Sequence, residues 1–103
     1  MIKASIIKDR YGKVVGFTCD GHAGHGKYGT DIVCAAVSAL VTTTLNSMET
    51  LTNAKFKASV DEGHVEFIFE SEPDEKALLL TDALFLGLRG IESEYGKKFL
   101  TVE

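Results

Sequence analysis

The sequence predicts an α+β fold of two layers, a mostly antiparallel sheet covered by two helices, with the element order β-β-α-β-β-α-β. Two observations carry that expectation. Short β-prone runs come in pairs across tight polar turns, the pattern of hairpins rather than of repeated βαβ crossovers. Each pair is followed by a long apolar stretch of helical length. At 103 residues the chain can bury one hydrophobic core and no more, so residues 1–103 are expected to form a single domain.

Residues 2–8, IKASIIK, and 13–19, KVVGFTC, flank the polar DRYG and read as the first hairpin. A glycine-rich segment over about residues 20–30 follows, with neither a helical nor a strand period. From Asp31 the chain reads DIVCAAVSALVTTTLNSMETL, a helix of about five turns. Thr30 or Asp31 is placed to cap it, since a side-chain oxygen there can accept from a free first-turn amide. The first half of this helix is apolar or small on every side. That predicts packing on the sheet with one face and on another helix, or a second subunit, with the other.

Residues 54–60, AKFKASV, alternate cleanly, with Ala54, Phe56, Ala58 and Val60 on one side and Lys55, Lys57 and Ser59 on the other. After the turn DEG, residues 64–70, HVEFIFE, alternate through Val65, Phe67 and Phe69, completing the second hairpin. Pro73 stands where the second helix can begin, and the helix runs to a glycine stop at Gly96. Gly87 and Gly90 inside it cost roughly 1 kcal/mol each against alanine; close approach of another helix would account for both. KKFLTV supplies a last strand.

Hydrophobic residues at 45% with a single proline mark an ordinary folded chain. No uninterrupted 18-residue apolar run is present, and the first ten residues are too short and too soon charged for an export signal. The expectation is a cytoplasmic protein that spans no membrane. A net charge of −4 argues against direct nucleic-acid binding, which usually needs a basic face, and suits a basic peptide. Two cysteines without an export signal are expected to be reduced thiols.

The stretch from Gly21 to Cys34, GHAGHGKYGTDIVC, is where chemistry concentrates. Three readings compete for it. Gly21, Gly26 and Lys27 reproduce most of a phosphate-binding loop, but Tyr28 replaces the hydroxyl that would hold magnesium. The helix is also expected to begin too late, after Gly29, and the parallel sheet of such nucleotidases does not fit this chain. Cys19, His22, His25 and Cys34 form a donor set that zinc accepts, though their spacing is not a common structural zinc pattern. Cys19 is as readily explained as a small buried hydrophobe.

The third reading makes Cys34 a nucleophile. With Asp31 as cap it falls in the first helical turn, where free amides and the macrodipole favour an anion by up to about 2 kcal/mol. An imidazole from His22 or His25 would complete the activation, and the same amides could hold an oxyanion. IVCAAVSAL by itself would suggest an inert core cysteine. The glycine-rich loop with its two histidines shifts the balance, because a loop that opens for a polypeptide needs glycines.

The strand followed by GHAG, the glycine-containing loop and DIVCAAVSAL together resemble the ribosomal-processing cysteine protease family Prp, also called YsxB-like, over essentially the whole chain. The resemblance implies a homodimeric cysteine endopeptidase without cofactor or metal. Its substrate would be the N-terminal extension of the large-subunit ribosomal protein numbered twenty-seven. Phage scaffold and capsid proteins with similar cleavage sequences could also be processed. Carried over residue by residue, His22 is the base and Cys34 the nucleophile, with Asp31 and Ser38 in support. Asp31, Cys34 and Ser38 recur at helical spacing and so share a face. Gly21, Gly24, Gly26 and Gly29 are expected to form the substrate loop, and His64 to be solvated. The alternatives are a small metal-binding module and a non-catalytic ribosome-assembly factor.

Overall fold

A computed structural model describes residues 1–21 and 28–103. The element order is the expected one: β1 (Ile2–Lys8), β2 (Val14–Gly21), α1 (Tyr28–Leu51), β3 (Phe56–Asp61), β4 (His64–Phe69), α2 (Glu75–Tyr95) and β5 (Leu100–Val102). The strands form one sheet in the order β3-β4-β2-β1-β5. All neighbours pair antiparallel except β5, which runs parallel to β1 because α2 carries the chain back before it.

Local chemistry explains the turns. The Asp9 carboxylate accepts from the amides of Tyr11 at 2.8 Å and Lys13 at 3.0 Å, closing the β1–β2 turn. α2 begins just after Pro73, with Asp74 as its cap, Oδ1 accepting from the Ala77 amide at 3.0 Å. Gly96 ends that helix as expected.

The core lies between the sheet and the two helices. Phe17 of β2, Phe67 and Phe69 of β4 and Leu100 of β5 meet Val33, Val37, Val41 and Met48 of α1 and Leu84, Phe85 and Leu88 of α2. Phe67 is the hub, with ring centroids 5.0 Å from Phe17 and 4.8 Å from both Phe56 and Phe69. The stretch Ile32–Leu51 is long and apolar enough, by length and composition, to cross a membrane. Here its stripe of Val33, Val37, Val41, Thr44 and Met48 is instead buried in the core, while only 28% of the stretch is buried altogether.

Of the two helix glycines, one behaves as expected and one does not. A Cβ on Gly87 would lie 3.0 Å from Cδ1 of Leu40, a close contact with α1, whereas a Cβ on Gly90 would meet nothing within 4 Å. Gly90→Ala should therefore stabilise the fold by about 1 kcal/mol in urea denaturation. Gly87→Ala should gain less, because Leu40 must shift; equal gains would contradict the contact.

Candidate active site

α1 begins at Tyr28, a turn earlier than expected. Gly29 disfavours a helix by only about 1 kcal/mol and the segment holds no proline, so nothing compels a later start. Three expectations change as a result. Thr30 and Asp31 are helical positions, not caps, and Gly29 belongs to α1 instead of the loop. Cys34 is the seventh helical residue, one turn inside the four free amides of residues 28–31. The macrodipole fades within the first turn, so the terminus helps the thiolate less than a first-turn placement would. The late helix start also no longer counts against phosphate binding. The missing hydroxyl at Tyr28 still does, and so does β2, which runs antiparallel to both of its neighbours.

Cys34 and Ser38, one turn apart on α1, line a cleft of about 260 Å³. Its walls are α1, through Val37, Val41 and Thr42, and the β3–β4 hairpin, through Val60, Gly63 and Val65; Cys19 and Gly21 of β2 form its floor. Cys34 is half-buried, packed against the core, and Ser38 is exposed. A larger depression of about 330 Å³ near Lys13 and Glu72 lies at the other end of β2 and is lined by neither cysteine nor histidine.

Gly21 ends β2 with φ +97, and a Cβ there would sit 2.2 Å from the Met1 carbonyl oxygen. Its amide donates to the Gly63 carbonyl at 2.7 Å, tying the end of β2 to the second hairpin. His22, Gly24, His25 and Gly26 lie outside the described residues. Both cysteines are free thiols. Burial, with added repulsion from Asp20 and Cys34, pushes the Cys19 thiol up to about 11, which suits a small buried hydrophobe more than a thiolate ligand.

One cluster at this rim was not legible in advance. The β2–β4 register sets Asp20 opposite His64, and His64 Nδ1 forms an ion-paired hydrogen bond with Asp20 Oδ1. His64 was expected to be simply solvated; it is half exposed but paired. The Asp20 hydrogen bond raises its pKa above the ordinary 6.5; desolvation opposes this, and the charges of Asp20, Glu66 and Asp61 add to it.

A family model described as cysteine protease Prp matches residues 1–99. The chain is 34% identical over 99 residues to the ribosomal processing cysteine protease Prp of Staphylococcus aureus, covering 94% of this chain and 93% of that protein. It is 31% identical over 101 residues to the ribosomal processing cysteine protease Prp of Bacillus subtilis, with coverages of 92% and 90%. The crystal structure of the S. aureus protease with a covalently linked product peptide matches with a TM-score of 0.88 and 32% identity, covering 100% of this chain and 98% of that one.

The raised His64 has a definite sign. Its folded pKa exceeds its unfolded one, so the pair's stabilisation is fully present below about pH 6.5 and lost as pH rises through the raised folded value. A proton NMR titration should place the His64 midpoint above 6.5, and Asp20→Asn should lower it. The urea midpoints of the parent and His64→Gln should differ at about pH 5.5 and converge towards about pH 8; a gap that widens with pH would contradict the pair.

Proposed function

The chain belongs to the Prp family of cysteine proteases, and from that premise we propose that it is a single-domain endopeptidase of ribosome maturation, with Cys34 as nucleophile and His22 as general base. The substrate is the N-terminal extension of the large-subunit ribosomal protein numbered twenty-seven, processed in the cytoplasm. The observation that carries the reading is the placement of Cys34. Its sulfur belongs to a half-buried side chain on a rigid helix, at the wall of an open cleft, with Ser38 one turn away. The S. aureus relative in complex with a covalently linked product peptide supports the reading.

The steps are those of acyl transfer. His22, the residue that follows Gly21 at the cleft, takes the thiol proton, and Cys34 attacks the scissile carbonyl. His22 returns the proton to the leaving amine, and water then hydrolyses the thioester. Because Cys34 lies in the second turn, the imidazole carries more of the activation than the helix terminus does. Ser38 is placed to hydrogen-bond the substrate or the thiolate. Asp31 acts from within the helix, one turn before Cys34. The chain works as a homodimer, for which the apolar surface left on α1 and the exposed Leu79 and Leu86 of α2 supply area.

Incubating the protein with the precursor ribosomal protein should give a product shortened at its N-terminus by mass spectrometry. Cys34→Ala should lower the rate by about ten-thousand-fold or more while the fold and peptide binding persist. Cleavage at an undiminished rate by that variant would rule out the nucleophile.

A further inference from the structure

The proposed mechanism gives Cys19 no task, yet the fold brings it to the nucleophile. On β2 Cys19 shares the core-facing row with Phe17, while Thr18 and Asp20 belong to the opposite row. The row ends beneath α1, so that Cys19 on the floor and Cys34 on the wall line one cleft. Both are free thiols, and Cys34 packs against the core cluster that contains Cys19. The sulfurs are near enough that charge on Cys34 repels charge on Cys19. The ladder neighbours of Cys19 are the hydrocarbon side chains Ala4 and Val65, so packing alone does not call for a sulfur here.

A thiol that is activated and reachable is also the thiol an oxidant attacks first. The Cys34 thiolate takes the outer oxygen of a hydroperoxide; the O–O bond breaks, and the other oxygen leaves as water or an alcohol after gaining a proton. The product is a sulfenic acid, and further oxidation to the sulfinic acid is irreversible without a dedicated reductase. We propose that Cys19 captures the sulfenic acid of Cys34 as an intramolecular disulfide, which halts proteolysis and protects the nucleophile until a dithiol reduces it. The Cys19 sulfur attacks the Cys34 sulfur, the S–O bond breaks, and the departing hydroxide leaves as water with the Cys19 proton. Two thiols are oxidised and one peroxide is reduced. Cys19 is mostly protonated at pH 7, with about one molecule in ten thousand ionised. Groups held together in one site can reach effective concentrations on the order of 10⁵ M, which outweighs that small fraction. The sulfenic acid is also neutral, so it does not repel the Cys19 thiolate as a charged Cys34 does. The proposal rests on the reading of Cys34 as nucleophile and adds the regulation of that site.

The test treats the reduced, full-length chain with hydrogen peroxide, removes the excess with catalase, blocks free thiols with iodoacetamide and weighs the intact protein. The parent should be lighter by two hydrogen atoms, carry no alkyl group and lose its cleavage of the precursor. Dithiothreitol should restore both the mass and the cleavage. Cys19→Ala and Cys19→Ser, each compared with its own untreated rate, should instead gain two oxygen atoms or more and stay inactive after dithiothreitol. The serine variant is close in size to the parent, so the comparison survives if alanine opens a cavity that upsets the fold. A parent that resists peroxide, gains oxygen without forming the disulfide, or doubles its mass by joining two chains would overturn the proposal. So would Cys19 variants that recover as fully as the parent. The nucleophile reading fails by a separate result, cleavage by unoxidised Cys34→Ala, and the masses are read without any substrate present.

Discussion

The stacking of Phe17 on Phe67 is the constraint on which the rest of the molecule depends. The two hairpins are separated in sequence by the whole of α1, and no turn can set how β2 meets β4. The rings do it: they face each other across the ladder with centroids 5.0 Å apart and planes 13° from parallel. Phe56, Phe69 and Phe85 close around the same pair. Each such aromatic contact contributes about 0.5–1.5 kcal/mol beyond burial. A slip of one residue would turn Phe67 out of the core together with every other side chain of its row. Register is therefore strongly specified, and the site inherits it. Cys19 stands opposite Val65 and Asp20 opposite His64 only in this alignment.

The same constraint divides the legible from the illegible. The hairpins and helices could be read because their periods are local: alternation in AKFKASV and HVEFIFE, long apolar stretches in the helices. Cys34 and Ser38 could be placed on one face because four residues is about one helical turn, and the structure puts both in one cleft. The pairing of Asp20 with His64 could not be read, since it depends on which hairpin edge meets which. Nor could the exposure of Val60. Alternation says which residues share a face, but only the strand order says whether a helix reaches far enough to cover it.

The start of α1 was misplaced for a different reason. Four glycines between Gly21 and Gly29 suggest one continuous loop, and Asp31 looks like a natural cap. Capping preference is worth about 1 kcal/mol, the same size as the cost of one helical glycine. Two terms that close to balance cannot locate a boundary to better than a turn. The difference matters here because the electrostatic help available to Cys34 changes steeply over that one turn. The proposed mechanism therefore leans on its imidazole more than on the helix terminus.

Two sulfurs line the cleft, and burial assigns them different fates. Cys19 sits in the core, its thiol pushed up to about 11, so at pH 7 only about one molecule in ten thousand carries its thiolate. Repulsion from a charged Cys34 is the smallest of the causes of that rise, after burial and Asp20. Ionisation of one sulfur thus opposes ionisation of the other.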